Sequence, residues 1–367
     1  MLNTISIANA ENVLVHGRTT ACRAPLTLFW SASGLEMNLR GSELWIECET
    51  DYELYEQWIS VILNGAHIAR MMLPAGRVWI PLLRGLNPEK VHHIEIIRDV
   101  QAMPTDPRCC LQIHALRTDG EFLPVTEKAL KLEVIGDSIT SSEGAIGAKE
   151  ETDWIAPFFC AARGYAFRTA QALNADLRVL SQSGWGALTS WDNDPNCAMP
   201  KYYEQVCGVV KGEKNAALGA FEPNDFTAWS ADVVVVNLGV NDNSAFNQPA
   251  WVDPQTGISY KQRTNEDGTH NREDEDHLKC AMHDFLMTLR RCNPHAHILW
   301  VHGMLGNPLR ELISGVVRDY CAETGDTGAE FLELPNEPLS GIGARSHPGK
   351  PMHDCAADAL IAKIRAL

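Results

Sequence analysis

Asp-Val-Val-Val-Val-Asn-Leu-Gly-Val-Asn-Asp occupies residues 232–242. The β-branched run from Asp232 to Leu238 lacks any polar alternation. Both of its faces must therefore be buried, as in a central strand of a parallel sheet covered by helices. Working outward, Leu132–Gly136 and Leu177–Ser181 predict two further short strands, with a helix over Tyr165–Leu173 between them. On the other side Leu278, Met282, Phe285 and Leu289 recur at helical spacing, and the helix they predict ends near Asn293-Pro294. The strand His297–Val301, the helix Pro308–Thr324, the strand Glu330–Leu334 and a final helix over Ala356–Leu367 complete a three-layer α/β domain with a parallel sheet. Ligands bind such sheets beyond the carboxyl ends of the strands. The polar, acidic segment Asn243–Asp276 has no periodicity and reads either as a solvated surface excursion or as a flap over the site.

Before residue 126 the pattern changes. From Leu26 to Leu123 the chain shows period-two alternation and short apolar runs broken by turn residues. Leu44, Ile46 and Cys48 alternate with Trp45, Glu47 and Glu49, and Trp58–Leu63 runs into Asn64-Gly65, a tight-hairpin signal. Val78–Leu82, Val91–Arg98 and Leu111–Leu116 continue the series. Many short strands of this kind predict a β-sandwich or jelly roll. The chain of 367 residues exceeds the roughly 250–300 at which single cores stop growing. It divides into a β unit at 1–125 and an α/β unit at 126–367.

Composition narrows the partners. Hydrophobic residues make up 45% and charged residues 21%, ordinary for a globular protein. A formal charge of −16 repels nucleic acid and anionic membrane, so neither is expected, and a neutral substrate suits the field better. No secretory signal is visible, and no apolar run reaches the length of a membrane span. Eleven cysteines scattered without a C-x-x-C pair read as reduced thiols, which predicts a cytoplasmic location. The histidines show no ligand spacing, so neither a metal nor an organic cofactor is expected.

Chemistry concentrates at the predicted strand ends. The first strand runs into Gly136-Asp137-Ser138-Ile139-Thr140. Ser138 is not in a G-x-S-x-G elbow, because Thr140 stands where the second glycine belongs. The second strand ends in Ser181-Gln182-Ser183-Gly184-Trp185-Gly186, the third in Gly239-Val240-Asn241-Asp242, and Ser346-His347-Pro348-Gly349 precedes the last helix. A serine needs a base within hydrogen-bond reach, and a histidine serves near neutral pH.

These four blocks, over about Leu132 to Leu367, resemble the SGNH hydrolase superfamily. The resemblance implies Ser138 as nucleophile and His347 as general base. It implies an oxyanion hole built from the backbone N–H of Ser138, the backbone N–H of Gly184 and the side-chain amide of Asn241, with Gly186 a competing donor. One feature departs from the pattern. The triad acid usually stands two or three residues before the histidine, where this chain has Arg345 and Ala344. Either a backbone carbonyl in Gly343–Arg345 orients His347, leaving a Ser-His dyad, or a carboxylate such as Glu337 or Asp354 does so. His353 has no expected part.

A β-sandwich ahead of an SGNH domain is similar to carbohydrate esterase family 2, with LFWSASGLEMNLRGSELWIECE (28–49) looking like that family's jelly roll. The expected function is then removal of O-acetyl groups from acetylated plant oligo- or polysaccharides of xylan or mannan type. Trp185 and Trp154 either stack on sugar rings or pack in the interior. The alternatives are a lipid or thioester hydrolase of the same superfamily, or a catalytically inactive glycan-binding protein.

Overall fold

The computed structural model describes residues 1–336 and 341–367. Two antiparallel sheets form first. One contains β1 (Asn3–Ser6), β3 (Leu26–Thr27), β5 (Glu43–Asp51), β8 (Gly76–Arg84) and β10 (Cys110–Thr118), in the order β1-β10-β5-β8 with β3 also on β10. The other contains β2 (Val13–His16), β4 (Gly34–Arg40), β6 (Gln57–Leu63), β7 (Ala66–Leu73), β9 (Val91–Arg98) and β11 (Glu121–Leu123), in the order β11-β4-β9-β6-β7 with β2 on β4. Met37 and Leu39 of β4, Ile59 and Val61 of β6, and Ile94 of β9 share one apolar core with Leu44 and Ile46 of β5 and Leu111 of β10. The period-two alternation along β5 is what lets one face enter that core. Asn64 and Gly65 both take positive φ, 50° and 80°, and close the β6–β7 hairpin as their residue types require.

The second body is a five-stranded parallel sheet of β12 (Leu130–Gly136), β13 (Ala175–Ser181), β14 (Val233–Asn237), β17 (His297–His302) and β18 (Ala329–Glu333), in the order β13-β12-β14-β17-β18. Every residue of β14 is buried. Val234 and Val236 face a cluster built with α4 (Arg272–Cys292) and α5 (Arg310–Thr324), while Val233 and Val235 face one built with α1 (Tyr165–Leu173) and α6 (Lys350–Ile364). Burial on both faces is the physical reason for the unbroken valine run. Because β13 and β14 flank β12 on opposite sides, the carboxyl end of β12 is the place where the connections diverge, and a crevice opens there.

One expectation is revised and one is refined. The last helix starts at Lys350 rather than Ala356, since Pro351 sits in its first turn, where the missing N–H has no partner to lose. The segment Asn243–Asp276 is largely exposed, as a surface excursion is, but it carries local structure that the sequence did not predict. It begins within α3 (Val240–Ala245) and holds the small hairpin β15 (Trp251–Val252) with β16 (Ser259–Tyr260). Asn193 Nδ2 donates to the carbonyls of Ala245 and Pro249, and buried Phe246 stacks on His270 at 3.8 Å.

The sandwich and the parallel sheet meet along a polar seam. Arg18, fully buried, pairs with Glu133 of β12 at 2.9 Å. His16 at the end of β2 lies between Glu36 of β4 (2.6 Å) and Asp176 of β13 (2.7 Å). Arg98 donates to the carbonyls of Leu28, Phe29, Val100 and Gln101, which holds the loop after β9 against the Leu28–Phe29 segment.

Candidate active site

Ser138 lies two residues beyond the end of β12 and is 8% exposed. Its Oγ is 2.8 Å from His347 Nε2. The other ring nitrogen, Nδ1, is 2.8 Å from the carbonyl oxygen of Arg345. A carbonyl can only accept, so the proton sits on Nδ1 and Nε2 presents a lone pair to the serine hydroxyl. Of the two ways to orient His347, the geometry matches the backbone-carbonyl alternative. Asp354 is engaged elsewhere: it pairs with Lys350, and its Oδ1 lies 3.6 Å from Arg168. Glu337 lies outside the described residues. His353 is fully buried, with Nδ1 accepting from the Tyr165 N–H at 3.2 Å, and burial, partly offset by Asp354, pushes it down to about 4.

The carbonyl reaches Nδ1 because the backbone before the histidine is bent into the left-handed region, with φ of 56° at Arg345 and 58° at Ser346. Side chains rarely favour that region, so surrounding contacts must hold it. The Arg345 N–H donates to Glu151 O (2.7 Å) and its Nη1 to Thr152 O (2.8 Å). Arg345 Nε donates to Glu143 Oε1 at 2.7 Å, and the same carboxylate oxygen is 3.8 Å from His347 Nδ1.

The remaining blocks converge on the same edge. Gly184 follows β13 with φ 81°, and among the described residues neither its N–H nor that of Ser138 donates to a protein acceptor. Asn241 follows β14; its Nδ2 donates to Trp185 O at 2.9 Å and, over a longer 3.2 Å, to Asp137 Oδ2. Asp137 also accepts from the Ile139 N–H at 3.0 Å. Burial, reinforced by the charges of Asp242 and Glu143 against the Ile139 hydrogen bond, pushes Asp137 up to about 7.

Gly186 has a different setting. A Cβ there would stand 2.5 Å from Asp242 Oδ2 and 2.3 Å from Thr189 O. Asp242 is buried and accepts from the N–H groups of Ala187 (2.8 Å), Leu188 (2.8 Å) and Thr189 (3.3 Å). It thereby shapes the loop that carries Gly184.

Trp185 is 7% exposed and tilts against Tyr202 at 5.3 Å, with its edge on a cleft of 840 Å³ shared with Trp251 and Phe221. Trp154 packs edge-on against Tyr55 (4.9 Å) and Phe159 (5.8 Å). The aromatic face that is open belongs to Trp191, 47% exposed, whose Cδ1 would be 2.9 Å from a Cβ on Gly184.

Sequence reasoning missed Glu143, Gln101 and Trp191. Gln101, in the loop after β9, accepts through Oε1 from the Ser183 N–H (2.9 Å), Ser183 Oγ (3.0 Å) and Ser141 Oγ (2.7 Å). It comes from the sandwich side of the chain, and no local pattern marks it. Trp191 alone had a signal, as an aromatic seven residues past the glycine of its block.

The chain matches no protein-family model. It superposes on the structure of an acetyl xylan esterase, Est2A, from the rumen bacterium Butyrivibrio proteoclasticus with a TM-score of 0.98 and 43% identity, covering 100% of this chain and 98% of that one. The structure of a family two carbohydrate esterase from Clostridium thermocellum in complex with cellohexaose gives a TM-score of 0.78 at 24% identity over 96% of this chain and 98% of that one. Among curated proteins, the cellulase/esterase CelE of Acetivibrio thermocellus is 26% identical over 348 residues, 92% of this chain. The chain spans only 37% of the length of CelE. At 43% identity over the whole of this chain and 98% of that one, the chain belongs to the same family as the acetyl xylan esterase Est2A.

Proposed function

We propose that the protein removes O-acetyl groups from acetylated plant oligo- or polysaccharides of xylan or mannan type, through an acetyl-serine intermediate on Ser138. The observation that carries this reading is the 2.8 Å contact between Ser138 Oγ and a His347 whose tautomer is set by the Arg345 carbonyl. Ser138 Oγ attacks the acetyl carbonyl carbon while His347 Nε2 takes its proton. The resulting imidazolium gives that proton to the departing sugar oxygen, the C–O bond breaks, and the acetyl group stays on the serine. Water then attacks the acyl carbon as His347 Nε2 takes its proton, the C–Oγ bond breaks, and His347 returns that proton to Ser138 Oγ as acetate leaves. The N–H groups of Ser138 and Gly184 and the Asn241 amide take the oxyanion, the latter exchanging its long bond to Asp137 for the new charge. One such donor contributes about 2.7–4 kcal/mol.

The β unit at 1–125, read as a jelly-roll-like body, supports the α/β unit at 126–367 through Gln101 and Arg18. Trp191 offers the apolar face of a pyranose a platform beside the oxyanion loop, with Trp185 at the edge of the adjoining cleft. The eleven free thiols suit a reducing compartment such as the cytoplasm.

Release of acetate from p-nitrophenyl acetate and from acetylated xylo- and manno-oligosaccharides, compared with Ser138→Ala, tests the reading. Turnover that favours the sugars and falls at least about 10³-fold in the variant is expected. No turnover on any acyl ester, or full activity in Ser138→Ala, would overturn it.

A further inference from the structure

Glu143 is a buried carboxylate, 1% exposed, whose Oε1 lies 3.8 Å from His347 Nδ1, and it makes bonds in three parts of the site. Its backbone N–H donates to the carbonyl of Ser138 at 3.0 Å, in the loop that presents the nucleophile. Its Oε2 accepts from Ser183 Oγ at 2.7 Å, one residue before the oxyanion glycine Gly184. Its Oε1 accepts from Arg345 Nε at 2.7 Å, in the loop that orients the histidine. A buried carboxylate needs partners on both oxygens to offset its desolvation, and here each partner belongs to a different part of the site.

We propose that Glu143 is the positioning residue that takes the place of the missing triad acid, acting on His347 through Arg345 rather than by direct contact. The carbonyl of Arg345 can face Nδ1 only while residues 345 and 346 stay in the left-handed region. Glu143 and the Glu151 and Thr152 carbonyls anchor the Arg345 side chain and N–H in that conformation. At 3.8 Å from Nδ1 Glu143 Oε1 is beyond hydrogen-bond reach of the imidazole, so the contribution is geometric: it fixes the tautomer and aim of the ring, the role that the acid performs in a Ser-His-Asp arrangement. An acid five residues after the nucleophile carries no sequence signal for this role, because the usual spacing is counted from the histidine.

The proposal rests on the esterase reading, and the test separates the two. Glu143→Ala is expected to lower kcat on p-nitrophenyl acetate about 10²-fold, as a displacement of about 1 Å in a reacting group does, with KM within about twofold of wild type. Acylation and deacylation rates fall together, because His347 serves both steps. Glu143→Gln, whose amide oxygen can still accept from Arg345 Nε, recovers part of the loss. A role confined to folding would lower the melting temperature and leave kcat of the folded enzyme unchanged. Arg345→Ala alters a partly exposed side chain and serves if Glu143→Ala does not fold; a loss in kcat of similar size is expected. Wild-type kcat in the folded Glu143→Ala, or in Arg345→Ala where that variant has to stand in, overturns the proposal, as does a loss confined to KM. Absence of turnover in the wild type, or its survival in Ser138→Ala, instead removes the esterase reading itself.

Discussion

At Gly184 the backbone takes φ 81°, whereas at Gly186 the constraint is space, with Asp242 Oδ2 2.5 Å from where a Cβ would stand. The two glycines of one loop are thus needed for different reasons, backbone conformation at the first and space at the second. Gly186→Ala must push Asp242 or the Thr189 carbonyl aside. Overpacking of this kind costs about 1–3 kcal/mol, so a lower melting temperature is expected together with a fall in kcat, since the displaced loop carries Gly184. Calorimetry and p-nitrophenyl acetate kinetics check both; a variant with wild-type stability and kcat would show that the loop yields freely.

Asp242, in the first turn of α3, ties that helix to the loop after β13 by accepting three N–H groups. Burial pushes its carboxyl above the ordinary range and the three donors oppose this. Asp242→Asn keeps the volume but turns one acceptor into a donor facing backbone N–H groups. Leaving one buried donor without a partner costs about 1–3 kcal/mol. Thermal melts should register that loss, and kcat should drop about tenfold through the misplaced Gly184 N–H. A neutral outcome on both would mean that the loop holds its shape through Met199 and Trp191, whose N–H groups bond to the carbonyls of Gly186 and Gly184.

Across the whole molecule, the seam at His16 joins β2 and β4 to β13. Burial lowers its pKa, but hydrogen bonds to Asp176 and Glu36 outweigh this and raise it to about 9. Glu36, although burial raises it, is held well below the carboxylate range by His16, His93 and Lys128. A histidine raised from an unfolded value of about 6.5 binds its proton more tightly when folded, so its stabilisation is complete below about 6.5 and is lost as pH rises through about 9. Asp137, raised to about 7, also makes stability fall with rising pH, but its window runs from about 4 to 7. A decline in melting temperature between about pH 7.5 and 9 therefore reports His16, on the order of 1–3 kcal/mol. His16→Gln should be less stable at pH 6 and lack that decline; an identical slope in the variant would assign it to other groups.

The strand ends and their blocks were legible in the chain itself, because local pattern causes them. A valine run buried on both faces makes a central parallel strand wherever it lies, and a turn after such a strand delivers its residues to the carboxyl edge. That reasoning put Ser138, Gly184 and Asn241 just past strand ends, whereas His347 and the roles of all four came from the resemblance to the SGNH blocks, and the unbroken alternation in β5 marked the antiparallel sheets. It misjudged the start of α6, where Pro351 reads as a break unless the helix is known to begin beside it. What holds the site together was decided by tertiary structure alone. Gln101 reaches Ser183 over 82 residues and Arg345 reaches Glu143 over 202. Hydrogen-bond direction and the left-handed turn before His347 follow from packing between distant loops, and no residue's neighbours along the chain encode where a distant carbonyl will point.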